Sequence, residues 1–149
     1  MISIQTDDFD PGSLLETLQQ NDSGALVSFT GLVRDLNLGS EVTALHLEHY
    51  PGMTEKALRD IQAKATQRWH IADSIIIHRT GTLQVGARIV FVAVASPHRK
   101  DAFAACEFIM DQLKTQAPFW KKELTTSGET RWLDCRESDQ QAAQKWHKS

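Results

Sequence analysis

The stretch Arg88–Gln116, RIVFVAVASPHRKDAFAACEFIMDQLKTQ, decides the reading of the fold. Its first part, Arg88–Ala95, is an apolar, β-branched run without polar alternation, the pattern of a central strand covered on both faces. Ser96-Pro97 follows, a capping residue ahead of a proline suited to the first helical position. Phe103, Cys106, Met110 and Leu113 then recur at helical spacing to about Gln116, and Pro118 forbids further extension. The segment predicts a buried strand feeding directly into a long helix.

Upstream, Ser74–Arg79 (SIIIHR) is a second central strand, separated from the first by a turn region at Gly81 and Gly86. Leu58, Ile61, Ala65 and Trp69 make one apolar stripe on a helix over Met53–Trp69, entered by the turn Pro51-Gly52. Val42–Tyr50 alternates, with Leu45 and Leu47 on one face and His46 and Glu48 on the other. Gly24–Thr30 (GALVSFT) reads as a buried strand and Gly31–Glu41 as a polar loop carrying Arg34. Asp10-Pro11 starts a short helix through Leu14, Leu15 and Leu18. Downstream, Phe119–Glu123 reads as an aromatic and basic connector and Thr130–Leu133 as a last short strand. The class is α+β, a mixed sheet with two main helices plus a short N-terminal helix. One domain is expected over 1–137, with a polar, mobile C-terminal tail over 138–149.

With 149 residues, 41% hydrophobic and 23% charged, the chain can bury one core. No run of about 18 apolar residues occurs, and MISIQTDDFDPG lacks the basic start of a signal peptide, so a cytoplasmic protein without membrane attachment is expected. Cys106 and Cys135 are too few for a disulfide scaffold or structural zinc site and are expected as inert thiols. A net charge of −3 argues against nucleic-acid coating. Yet Ser74–Lys100 and Gln112–Lys122 contain no acid at all while carrying several cations. Those two stretches suggest a local anion site.

Three potential cations, His98, Arg99 and Lys100, stand at the expected helix start, where the dipole disfavours each by about 0.3 to 1 kcal/mol. Phosphate or carboxylate capture would explain them. Lys114 continues the stripe Phe103, Glu107, Met110; desolvated there it can act as acid, base or nucleophile, and the ordinary alternative is a lysine that snorkels in the last turn. Lys121 follows the rigid Pro118-Phe119-Trp120, with a solvated loop lysine as its alternative. His46 and His49 face opposite sides of a strand, so a shared metal is not expected. His78 reads as a strand-end histidine satisfied by hydrogen bonds. No hydrolase elbow, Walker loop or dinucleotide fingerprint is present.

Taken together, Phe29-Thr30-Gly31-Leu32-Val33-Arg34, Leu47-Glu48-His49-Tyr50-Pro51-Gly52-Met53, His78-Arg79-Thr80-Gly81, Ser96-Pro97-His98-Arg99 and Lys114 through Pro118-Phe119-Trp120-Lys121-Lys122-Glu123 resemble the large, catalytic subunit of molybdopterin synthase over about Gly24–Arg136. His46 departs from the aromatic residue many members carry before the Glu. The resemblance implies an α/β-hammerhead type of fold and a homodimer flanked by two small ubiquitin-like carrier subunits, a heterotetramer. It implies sulfur transfer from the carrier's C-terminal glycine thiocarboxylate to cyclic pyranopterin monophosphate, giving the dithiolene of molybdopterin, with no metal and no cofactor. By the same resemblance Leu32, Val33, Arg34, His98, Arg99, Lys114, Lys121, Lys122 and Glu123 bind substrate, and Lys114 and Lys121 are catalytic.

That chemistry joins two anions, which repel by about 4 kcal/mol at 4 Å near a protein surface, so cations must offset the repulsion. Arg34, His98 and Arg99 are assigned to phosphate and pterin, Lys114 to acid/base or covalent work, and Lys121 to its electrostatic support. His98 and Lys114 sit at opposite ends of one helix, about 24 Å apart. A composite site across a two-fold dimer is therefore expected. The alternative is a non-enzymatic binding module for a phosphorylated metabolite or RNA.

Overall fold

The computed structural model describes residues 1–19, 22–37, 40–133 and 137–148. Among the described residues, two sheets and four α-helices place the chain in the α+β class, with two sheets where one mixed sheet was expected. The first sheet has the order β1 (Ile2–Gln5), β5 (Asp73–Arg79), β7 (Arg88–Ser96), β2 (Ala25–Leu32), with β1 parallel to β5 and the other pairs antiparallel. The two apolar runs are its central strands, buried on both faces. Ile76, Val90, Val92 and Val94 pack beneath α2 (Met53–Arg68) and α3 (Arg99–Gln116) with Leu58, Ile61, Ala105 and Ile109. Ile75, Ile77, Phe91, Ala93 and Ala95 meet Phe9 and α1 (Pro11–Leu18) on the other side.

The second sheet has the order β3 (Leu36–Asn37), β4 (Ser40–His49), β8 (Phe119–Thr125), β9 (Thr130–Leu133), and β6 (Gly81–Gln84) also pairs with β4. Its core is Val33, Leu45, Leu47 and Leu83. Several expectations change here. Phe119–Glu123 is a strand, not a connector: held between β4 and β9, it turns its alternate residues to opposite faces, and strand pairing overrides the low propensity of its charged residues. The Gly81 and Gly86 turn region contains β6, because Leu83 supplies a buried residue opposite Leu45. The loop expected at Gly31–Glu41 is shortened by β2, which runs to Leu32.

The helix after Ser96-Pro97 starts at Arg99, not at Pro97, with His98 as its cap residue. Ser96 still belongs to β7, and its Oγ accepts from the His98 N–H at 3.1 Å while donating to the His70 carbonyl at 2.6 Å. The buried face of α3 is Ala102, Ala105, Cys106, Phe108, Ile109, Gln112 and Leu113, which leaves Phe103 62% exposed, off the core where its helical spacing had placed it. Pro118 does end the helix, and Ala117 before it is extended (φ −87°, ψ 130°).

The segment expected as a mobile tail folds into α4 (Glu137–Gln144) and a 3₁₀ turn, Lys145–Lys148. Its apolar residues explain this. Ala143 is buried, and Trp146 sets its ring edge-on to Trp69 and Phe108 and donates from Nε1 to Asp111 at 2.7 Å. Arg68 lies over the same three rings and donates to the Trp146 carbonyl, and Lys145 pairs with Glu107. Cys106 is buried, which pushes its thiol up to about 11, and Cys135 lies outside the described residues. Among the described residues no helix is long and apolar enough to cross a membrane.

Candidate active site

A cavity of about 660 Å³ opens where the end of β2, the last turn of α3, β8 and α4 converge. Each wall follows from the local fold. Val33 is locked by two backbone bonds, its N–H to the Ala87 carbonyl at 3.0 Å and its carbonyl from the Gly86 N–H at 2.9 Å. That anchor leaves Leu32 exposed on one side and sends Arg34 out beside the cavity. Gly31 is required just before it, since a Cβ there would lie 2.6 Å from Val90 Cγ1. Lys114 comes from the final turn of α3, where a cation suits the negative end of the helix dipole.

On β8 the two-residue period directs Phe119, Lys121 and Glu123 into the cavity. Lys122 points from the opposite face, with its ammonium 5.2 Å from the centre of the Trp132 ring. Glu123 is 4% exposed and accepts from Arg131 Nε at 2.8 Å, so this buried carboxylate is charge-compensated. Thr54, fully buried at the start of α2, donates to the Pro118 carbonyl at 3.0 Å and fixes the entry to β8. The cavity therefore brings together Leu32, Val33, Arg34, Lys114, Lys121 and Glu123. It does not include His98, Arg99 or Lys122.

His98 and Arg99 lie exposed at the far end of the same unbroken α3. The His98 ring meets His70 edge-on at 5.9 Å, and Asp101 in the first turn accepts from the His70 N–H, giving that terminus an acid beside its cations. His46 is satisfied on the outer face of β4, with Thr82 at 2.8 Å and Glu48 at 3.2 Å.

Among the cavity residues that the sequence reading did not assign to the site are His78, Phe119 and Asp139. His78 donates from Nδ1 to the Arg79 carbonyl at 2.8 Å, as a satisfied histidine would, yet its ring also lines the cavity and stacks on Phe119. Burial first, and then the charges of Lys121, Lys114 and His49, push its pKa down to about 3, against the opposing effect of the Arg79 bond. It is neutral at any physiological pH. The signal that could have found it is positional: His78 is two residues from Ile76, on the helix-facing side of β5. Asp139 could not be placed without knowing that α4 folds back.

Chemically, the cavity presents Arg34, Lys114 and Lys121 as donors and cations, with Glu123, Asp139 and a neutral imidazole as acceptors. Such a set can hold an anion and move protons beside it. Residues 4–116 match the sequence profile of the MoaE protein family. The molybdopterin synthase catalytic subunit of Vibrio cholerae is 56% identical over 146 residues, covering 97% of each chain. The molybdopterin biosynthesis MoaE protein from Burkholderia ambifaria superposes with a TM-score of 0.83 at 52% identity, over 98% of this chain and 97% of that one. A protein–protein complex of subunits 1 and 2 of molybdopterin-converting factor from Helicobacter pylori contains the same fold, with a TM-score of 0.72 at 21% identity over 91% and 90% of the two chains. With residues 4–116 matched by the family profile and 97% of its length aligned to a relative 56% identical, the chain belongs to the MoaE family.

Proposed function

We propose that this chain is the catalytic subunit of a molybdopterin synthase, transferring sulfur from the thiocarboxylate of a small carrier subunit to cyclic pyranopterin monophosphate. The observation that carries the reading is the convergence of Arg34, Lys114 and Lys121 on one cavity in a chain 56% identical to a molybdopterin synthase catalytic subunit. In each transfer the thiocarboxylate sulfur attacks a side-chain carbon of the pterin, forming a C–S bond as a C–O bond to that carbon breaks, and water then cleaves the resulting thioester, leaving the carrier an ordinary carboxylate and the sulfur on the pterin. Lys114 and Lys121 hold the thiocarboxylate and the charge that develops on its acyl oxygen, and Arg34 holds phosphate. Glu123, paired to Arg131, keeps the cation set from being uniformly repulsive.

His98, Arg99 and Lys122 join this site only from outside the cavity. α3 runs 18 residues without a break, so its two ends are about 27 Å apart, far more than the length of a pterin monophosphate. The reading therefore requires a two-fold dimer in which His98 and Arg99 of one protomer complete the cavity of its partner, with a carrier at each site. The relative from Helicobacter pylori, solved as a complex of two subunits, supports a small-subunit partner. Incubating the purified chain with thiocarboxylated carrier and the cyclic pterin tests the proposal directly: dithiolene product is expected, and binding without product would refute it.

A further inference from the structure

The cavity has an acceptor that the roles above leave unused. His78 is 2% exposed, and its Nδ1–H is committed to the Arg79 carbonyl, which fixes the tautomer and leaves Nε2 as a bare lone pair. Nε2 has no hydrogen-bond partner among the described residues, although the ring lines the cavity beside Lys114 and Lys121. A ligand in the cavity that supplies a donor gains a hydrogen bond by meeting that lone pair. Phe119 holds the ring rigidly, stacked at 3.8 Å.

The chemistry of a chain terminus supplies that donor. In a terminal thiocarboxylate the residue's own amide nitrogen is only two bonds from the acyl carbon. An anionic end seated on Lys114 and Lys121 therefore carries an N–H into the neighbourhood of those lysines. His78 is in that neighbourhood, close enough for both ammonium charges to act on it. A carboxylate in its place would cancel the cations that hold the anion. A protonated histidine would offer a donor where an acceptor is needed. A neutral imidazole does neither.

Resting on the sulfurtransferase reading, we propose that His78 is a specificity-determining residue, whose Nε2 accepts the amide N–H of the carrier's terminal residue and so distinguishes a peptide thiocarboxylate from a free anion. Phosphate or sulfide can occupy the lysines but has no N–H to offer.

The test uses the chain with ¹⁵N-labelled histidine and the cognate carrier in its stable carboxylate form, ending either in glycine or in N-methylglycine. The glycine carrier should move the His78 Nε2 resonance in the direction of hydrogen-bond acceptance, while inorganic phosphate should not. N-methylation should abolish that shift and weaken binding about tenfold, the scale of one lost hydrogen bond. In His78→Phe, which keeps a flat ring on Phe119, the N-methyl penalty should vanish, and His78→Gln, with a neutral acceptor, should restore part of it. An Nε2 signal indifferent to the carrier, one moved instead by the pterin or by phosphate, or an equal N-methyl penalty in wild type and His78→Phe would overturn the proposal. These readouts need only the complex, so absent dithiolene product would count against the enzymatic reading and not against His78.

Discussion

The imidazole of His78 and the ring of Phe119 lie face to face, with centroids 3.8 Å apart and planes 18° from parallel. One ring belongs to β5 of the first sheet and the other to the start of β8 in the second, so this stack is a joint between the sheets. It sits directly behind Lys121, two residues along β8. The geometry of the candidate site thus depends on an uncharged His78.

That dependence makes the fold acid-sensitive in a defined window. The His78 pKa is about 3 in the folded chain against an ordinary value of 6.5, so between those values the unfolded state binds the extra proton. Stability contributed by the neutral ring is complete above pH 6.5 and is lost as pH falls towards 3, at up to about 1.4 kcal/mol per unit. His78→Phe should flatten this slope in denaturant titrations run at pH 7, 6 and 5. An unchanged slope would place the acid sensitivity elsewhere.

Lys114→Ala should abolish dithiolene formation while the fold persists and carrier binding is weakened but not lost, because the residue is exposed at the end of α3 and lines the cavity without filling the core. Lys114→Arg should not restore turnover, since a guanidinium does not give up its proton near neutral pH. Circular dichroism and a pull-down with the carrier separate loss of catalysis from loss of structure. Near-normal turnover in either variant would remove Lys114 from the chemistry.

Arg34→Ala and Arg99→Ala should each weaken capture of the pterin monophosphate by roughly 1.5 to 3 kcal/mol, the cost of one charge-assisted hydrogen bond. Calorimetric titration with substrate in the absence of sulfurated carrier measures this without turnover. Unchanged affinity in both variants would refute the assignment of these residues to the phosphate.

The C-terminal segment should prove part of the folded unit. Trp146→Ala removes two edge-on ring contacts, the hydrogen bond to Asp111 and the platform beneath Arg68, and should cost about 2 to 4 kcal/mol. Hydrogen exchange should accelerate across Glu137–Gln144 in the same variant. Native-like protection there would mean that Trp146 does not hold α4.

The residues visible in the sequence were those whose burial is written in their own neighbourhood. Val90 to Ala95 and Ile75 to Ile77 announce central strands because both faces are apolar, and Pro118 announces the end of α3 because no helix passes it. Phe119–Glu123 did not read as a strand, since its pairing comes from β4, seventy or more positions earlier. Trp146 and Ala143 carry the burial of a segment whose other residues are polar, too sparse a pattern to outweigh them. His78 was legible as a satisfied histidine and illegible as a cavity wall. Its second role depends on where β8 and α3 end, which no local pattern contains.

The two ends of α3 provide the last and most decisive test. Lys114 lines the cavity, while His98 and Arg99 stand about 24 Å away along a helix with no internal glycine or proline. If all three serve one reaction, they must come from different protomers of a two-fold dimer, and each active site then uses one end of α3 from each chain. Lys114→Ala homodimers should be inactive, and Arg99→Ala homodimers nearly so when assayed with substrate well below saturation. In the mixed dimer, one site combines the intact Arg99 of the Lys114→Ala chain with the intact Lys114 of the Arg99→Ala chain, and the other site carries both lesions. Random mixing gives about half mixed dimers with one good site each, so roughly a quarter of wild-type activity should return after subunit exchange. No recovery after demonstrated exchange, or full activity from an isolated monomer, would refute the composite site.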